Sequence, residues 1–369
     1  MKKEVSIYLD VVRFLAAMAV FVSHFSLHRL SGGFLWQAGP YGHEAVTVFF
    51  VLSGFVIAYA TDTRETTASS YCISRMARMY SVAVPAVLLT ALLDELGSHM
   101  RPDLYGAAWG YAQDLSFTRF FTALSFTNEL WTLSIRQGSN AAYWSMGYEV
   151  PYYLIFGLAL FTPAHWRIAA VALALLAVGP SIVASLPIWL LGVAAYRYCK
   201  HSRLSPRTGV LMFAGSLLAW IVYEVVATRW GRPMIEGNAF FKRHEMVQDY
   251  IVAAFFVVNM VGFNAASARL GAPLMKISGT VRWLAGTTFT LYLCHLPLAQ
   301  FLLACMPWPP ADPRSRVLVF FGTLAAVFLL AEFTEKRKTA WRVGIEALWN
   351  RLSPSSRSTA LPRLPGHHD

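Results

Sequence analysis

The chain has 369 residues, of which 56% are hydrophobic and only 14% charged, with a mean hydropathy of +0.46. Average soluble domains carry about 25% charge, so this composition excludes an ordinary soluble domain and points to a membrane protein. The net charge of +11 does not indicate nucleic acid, because its distribution along the chain follows membrane topology.

Apolar runs near the spanning length of about 20 residues predict ten spans, at 7–27, 41–60, 79–96, 145–162, 167–184, 185–200, 209–228, 248–264, 281–305 and 316–335. The stretch 104–135, broken by Asp114, Arg119 and Glu129, reads as a re-entrant piece, an interfacial helix or an eleventh span. With both termini cytoplasmic, 20 Lys and Arg fall on the inner side, 10 on the outer side, and Arg13 within the membrane. That asymmetry follows the positive-inside rule. The predicted fold is all-α: a polytopic transmembrane helical bundle occupying residues 1–340, with 341–369 a cytoplasmic, unstructured tail that is rich in Ser, Pro and Arg after Arg351. Met1-Lys2-Lys3 before an apolar run looks like a signal peptide. The run is too long, carries Asp10 and Arg13 and lacks a small-residue cleavage site, so it reads as a retained helix. Four scattered cysteines give no disulfide framework and no metal site, and no Walker or Rossmann loop is present.

In chain order, the first helix carries Asp10, Arg13 and His24 among Val, Leu, Ala and Phe. Ionisable groups at membrane depth are costly and mark proton, ion or substrate chemistry. At about 100° per residue they share one polar face. His24 lies about 16 Å further out than Arg13, so the partner of Asp10 is Arg13, one turn away, not His24. Phe49-Phe50-Val51-Leu52-Ser53-Gly54-Phe55 follows in the second helix, where Ser53-Gly54 permits close helix approach and Gly54 leaves room for an extended ligand. Arg75 and Arg78, at i and i+3, present two guanidinium groups on one face at the inner entrance of the third helix, a geometry suited to phosphate. Alone, such a pair is more often a topology anchor.

Tyr143-Trp144-Ser145-Met146-Gly147-Tyr148-Glu149 opens a span from the outer side and puts Glu149 at a depth similar to His24. A carboxylate that orients one imidazole nitrogen leaves the other as a general base, so His24 and Glu149 are the expected catalytic pair. Leu291-Tyr292-Leu293-Cys294-His295-Leu296-Pro297 lies in the ninth span, with His295 near mid-membrane as a structural or a direct participant. Trp109, Tyr111, Trp131, Trp230, Arg232 and Arg243 on outer segments are candidates for a glycan platform.

Taken in order, these segments resemble the acyltransferase-3 family of integral-membrane O-acyltransferases, which modify bacterial surface glycans and other acceptors. Leu9-Asp10-x-x-Arg13 through His24-Phe25 is similar to its first-helix signature, and Phe49 to Phe55 to its second. Arg75-x-x-Arg78, Trp144-Ser145-x3-Glu149 and Leu291-Tyr292-x-x-His295-x-Pro297 match the remainder, over roughly residues 5–335. Thr47 stands where many members have an acidic residue, and Val150-Pro151 where Glu-Gln is frequent.

The resemblance implies a multi-pass protein of the bacterial inner membrane that takes acetyl-CoA, or another acyl-CoA, from the cytoplasm. Arg13, Arg75 and Arg78 would hold the nucleotide end, and the pantetheine arm would pass Ser53 and Gly54. His24 would deprotonate a carbohydrate or glycolipid hydroxyl, or else carry the acyl group itself. Asp10, Trp144, Ser145, Tyr292 and His295 would support the site. The competing readings are transfer of succinyl or another acyl group to a different acceptor, a proton-coupled transporter or flippase using Asp10, Arg13 and His24 as its path, and a non-catalytic scaffold.

Overall fold

The computed structural model describes residues 1–106 and 117–352, and among them the fold is helical with no β-strand. The longer helices are α1 (Lys3–Phe25), α2 (Tyr41–Thr63), α3 (Ala68–Met100), α4 (Phe117–Leu124), α5 (Met146–Phe161), α6 (Ala164–Val178), α7 (Pro180–His201), α8 (Pro206–Trp230), α9 (Met246–Ala265), α10 (Ser278–Ala285), α11 (Thr288–Ala304), α12 (Pro313–Phe333) and α13 (Lys338–Leu352). This is a polytopic membrane protein.

Every expected apolar run is helical, but fewer of them suffice to cross a bilayer alone. Seven helical stretches are long and apolar enough, and an eighth arises if α10 and α11, bent by 51° at their junction, count as one. At 16 and 15 residues, α5 and α6 fall short of the roughly 20 needed to span. The boundary expected between 184 and 185 lies instead at Gly179-Pro180. Gly179 takes φ +89°, and Pro180 opens α7 at its first turn, where its missing N–H costs nothing. In the described part of 104–135 the helix content is one eight-residue helix, α4, after the short turn ending at Leu104, and neither crosses.

Two further boundaries bear on the site. α3 begins at Ala68, where the Thr67 hydroxyl accepts from the Ser70 amide at 3.2 Å, so Arg75 and Arg78 lie two and nearly three turns inside the helix. α13, which runs from Lys338 to Leu352, takes up the first part of the expected unstructured tail and packs against α3.

α2 is the central helix, in contact with α7, α1 and α9, while α11 lies against α12, α3 and α1. Lipid is as apolar as leucine, so association inside a bilayer rests on close van der Waals packing rather than on escape from water. Gly54 and Gly192 supply it where α2 and α7 cross: a Cβ on Gly54 would lie 2.0 Å from the Trp189 carbonyl oxygen, and one on Gly192 2.0 Å from that of Val51. Gly54 is therefore spent on a helix crossing. It does not face the cavity that Ser53 lines, which corrects the expectation that it admits a ligand.

Candidate active site

The site begins with a proline. Pro297 has no N–H to donate to the Leu293 carbonyl one turn earlier in α11, and the Asn140 side-chain amide donates to that oxygen at 2.7 Å. Two residues upstream, the Leu291 carbonyl lies 2.8 Å from His295 Nδ1. A carbonyl only accepts, so Nδ1 carries the proton, and in the neutral ring Nε2 is left as an acceptor. His24, in the last turn of α1, places its Nδ1 2.8 Å from that Nε2, with the two rings stacked 16° from parallel. His24 Nδ1 then donates and its Nε2 keeps a free lone pair. The edge of the Phe21 ring packs on buried His295 at 5.8 Å between centroids.

The partner of His24 is thus His295, and Glu149 is not placed to orient it. The Glu149 carboxylate accepts from the Ser53 hydroxyl at 2.8 Å and from the Tyr153 hydroxyl, while Trp189 Nε1 donates to Ser53 at 3.2 Å. The two hydroxyls, one turn along α5 and across on α2, with Trp189 of α7 behind Ser53, hold Glu149 at the cavity that Arg13 lines. The direction of the Glu149 side chain is set by partners on its own and a neighbouring helix.

A cavity opens there, lined by Arg13, Ser53, Arg78, Glu149, Ser145 and Tyr292, among others. Arg13 and Asp10 pair at 3.4 Å, each about one-fifth exposed. Arg78 has its Nε buried with no hydrogen-bond partner, and Thr288 Oγ1, also in the lining, is likewise unpaired. Arg75 is engaged elsewhere: it forms an ion pair with Glu65 and packs over the Tyr71 and Tyr153 rings. Of the two expected arginines, Arg78 lines the cavity and Arg75 does not. Sequence reasoning missed Arg282, which acts electrostatically on Asp10, and Lys338 and Glu335, which act on Arg13 and Arg78. Glu335 accepts from the Phe289 amide at 2.9 Å and the Thr290 amide at 3.2 Å, capping the start of α11 beside the cavity. Nothing in the sequence spacing around Glu335 points to a cap on a distant helix.

A second cavity is lined by His24, His43, Asn140, Trp144, Arg136 and Arg243, among others. Trp144 faces this one and Ser145 the first, and Tyr292 donates to Ser145 Oγ at 2.8 Å; the Trp144-Ser145 step separates the two spaces. Lys242 Nζ donates to Glu129 at 2.9 Å; burial pushes the Glu129 carboxyl up from its ordinary pKa, and Lys242 opposes the shift. Arg243 donates to Asp249 at 2.6 Å, and Asp249 also meets His43 at 2.9 Å and the Thr47 hydroxyl. Of the expected glycan platform, Arg243 alone lines this cavity. Arg232 is tied to Glu44 at 2.5 Å and Glu224 at 2.6 Å, Trp131 and Trp230 are exposed, and Trp109 and Tyr111 lie outside the described residues. No group of three or more His, Cys, Asp or Glu among the described residues is placed to hold a metal ion.

Fold and site define a polytopic membrane protein in which half-buried His24, paired with buried His295, lines one of two cavities. Residues 6–334 match the Acyl_transf_3 family, described as an acyltransferase domain, and the chain belongs to that family. It is 29% identical over 154 residues to the acyltransferase MdmB of Streptomyces mycarofaciens, covering 40% of this chain and 37% of the relative. It is 28% identical over 134 residues to the exopolysaccharide production protein ExoZ of Rhizobium meliloti (strain 1021), covering 36% and 38%. Those two matches span under two-fifths of either relative's length. A third, to an O-acetyl transferase of Shigella phage Sf6, is 25% identical over 341 residues and covers 85% of this chain and 91% of the relative. No solved structure matches.

Proposed function

We propose that the chain is an integral-membrane O-acyltransferase that moves an acetyl group from acyl-CoA to a carbohydrate hydroxyl of the bacterial envelope. The observation that carries this reading is the His24–His295 pair, which leaves His24 Nε2 without a hydrogen-bond partner among the described residues, in the lining of the aromatic cavity. The Arg13 end faces the cytoplasm, by the positive-inside rule, and lies in the inner membrane. There Arg13 and Arg78 bind the phosphates of the donor, with Arg282 and Lys338 adding positive charge at the mouth. Ser53, Glu149 and Tyr153 wall the path along which the donor's arm reaches Ser145.

His24 Nε2 accepts the proton of the acceptor hydroxyl. The freed oxygen pair attacks the thioester carbonyl carbon, the C–S bond breaks, and the thiolate leaves with the electron pair and takes up the proton. His295 donates no proton; it fixes the His24 tautomer and stabilises the imidazolium that forms. A route through an acyl group on His24 uses the same nitrogen and is distinguished by trapping the acyl-protein without acceptor.

The protein reconstituted in lipid vesicles with labelled acetyl-CoA and an envelope oligosaccharide should place label on the sugar, and only when donor is present. Sugar uptake into vesicles without any acyl-CoA would instead establish a transporter.

A further inference from the structure

The cavity lined by His24 holds polar groups that the protein leaves unsatisfied. Arg243 is 5% exposed, yet its Nε and Nη1 are buried with no hydrogen-bond partner, and only Nη2 meets Asp249. The guanidinium is held in place by Trp144, Tyr148 and Phe50, with its centre 5.0, 5.9 and 5.7 Å from their ring centroids. A planar cation pinned over aromatic rings has its donors already oriented, so little entropy is lost when they meet a ligand. A buried donor left unpaired is destabilising by about 1–3 kcal/mol, and such groups are rare in folded proteins unless something else meets them. Asn140 lines the same cavity; its Nδ2 is used on Leu293 and its Oδ1 is unpaired.

Most of the charges around these groups are already paired. Glu129 is taken by Lys242, and Asp249 by Arg243 and His43. Glu245 lies 3.9 Å from His43. Arg136, exposed in the lining, forms no ion pair among the described residues and acts on Glu129 only at longer range.

Resting on the acyltransferase reading, we propose that this cavity selects an anionic acceptor: a sugar whose carboxylate or phosphate oxygens are bound by Arg243 Nε and Nη1 and by Arg136, which brings a neighbouring hydroxyl to His24. Trp144 and Tyr148 then flank the sugar face, and Asn140 Oδ1 accepts from a hydroxyl. A carboxylate and a phosphate share the oxyanion geometry that a guanidinium fork recognises.

The test is direct binding to the full chain in lipid nanodiscs, without donor, of three probes: a methyl glucuronoside, a methyl glucoside 6-phosphate and the neutral methyl glucoside. At least one charged probe should bind tenfold or more tighter than the neutral one, and the tighter of the two names the oxyanion. Arg136→Gln, an exposed position whose loss does not threaten folding, should reduce that preference severalfold, and Arg243→Gln should abolish it. Equal binding of all three probes would overturn the proposal, as would a preference unmoved by Arg136→Gln. CoA release from acetyl-CoA, measured on the same preparation, reports separately on the acyltransferase reading: loss of anion preference with donor turnover intact rejects the acceptor class alone.

Discussion

His24 Nδ1 stands 2.8 Å from His295 Nε2, and the polarity of that bond is fixed one step further back by the Leu291 carbonyl, 2.8 Å from His295 Nδ1. A histidine near the end of one helix is thereby aligned by a turn of another, with a backbone oxygen as the final reference. The role usually given to a carboxylate is taken here by a second imidazole, which is neutral and cheaper to bury.

The first expectation concerns His295. Replacing it with alanine should lower kcat for acyl transfer by about 10²-fold, the lower range of what a positioned base contributes, while the Kd for acyl-CoA stays within about threefold. His295→Gln, able to accept through its side-chain oxygen, should recover part of the loss. Steady-state kinetics with a donor titration separates the two terms, and a rise in donor Kd with kcat unchanged would count against a positioning role.

A second expectation separates the two arginines of α3. Arg78 lines the cavity with an unpaired Nε, so Arg78→Gln should weaken acyl-CoA binding by about tenfold or more, the scale of one charge-assisted hydrogen bond. Arg75→Gln should weaken it by less than about threefold, because its guanidinium is already committed to Glu65. Calorimetric titration of each variant decides the order, and equal losses would show that both reach the donor.

Helix crossing supplies the third. Gly54→Ala places a methyl 2.0 Å from a backbone oxygen of α7 that has no flexible side chain to move. Overpacking of this kind costs about 1–3 kcal/mol, so the variant should melt several degrees lower in detergent. A Tm equal to that of the wild type would mean that the α2–α7 contact is looser than the structure has it.

The fourth rests on Asn140. Asn140→Leu removes the side-chain donor to the Leu293 carbonyl that Pro297 leaves open, and an orphaned buried carbonyl costs about 1–3 kcal/mol. Lower thermal stability should appear together with reduced kcat, because the same turn carries His295. Restoring the helical donor with Pro297→Ala in the Asn140→Leu background should recover Tm, which a defect unrelated to that carbonyl would not.

Much of this was legible in the sequence because polar residues in an apolar helix are conspicuous. Asp10, Arg13 and His24 announced one face of α1, their depths followed from helix rise, and the ordered motifs pointed to the family. Lateral relations were not legible. Depth put Glu149 level with His24, but which way a side chain turns is decided by Ser53, Tyr153 and Trp189 on helices whose rotation the sequence does not state. His295 and Asn140 became informative only once α1, α11 and the loop before α5 met. The α6–α7 boundary was available in Gly179-Pro180 and was hidden by the unbroken apolar composition around it. The clasp of Glu335 on α11 depends on a contact 45 residues apart in the chain.

The account rests most heavily on His24, and single-turnover release of CoA from acetyl-CoA by the nanodisc-embedded protein tests it directly. His24→Ala should slow release by about 10²-fold or more, with acyl-CoA binding by titration within about threefold of the wild type. Release at the wild-type rate from a His24→Ala protein that still binds donor would contradict it.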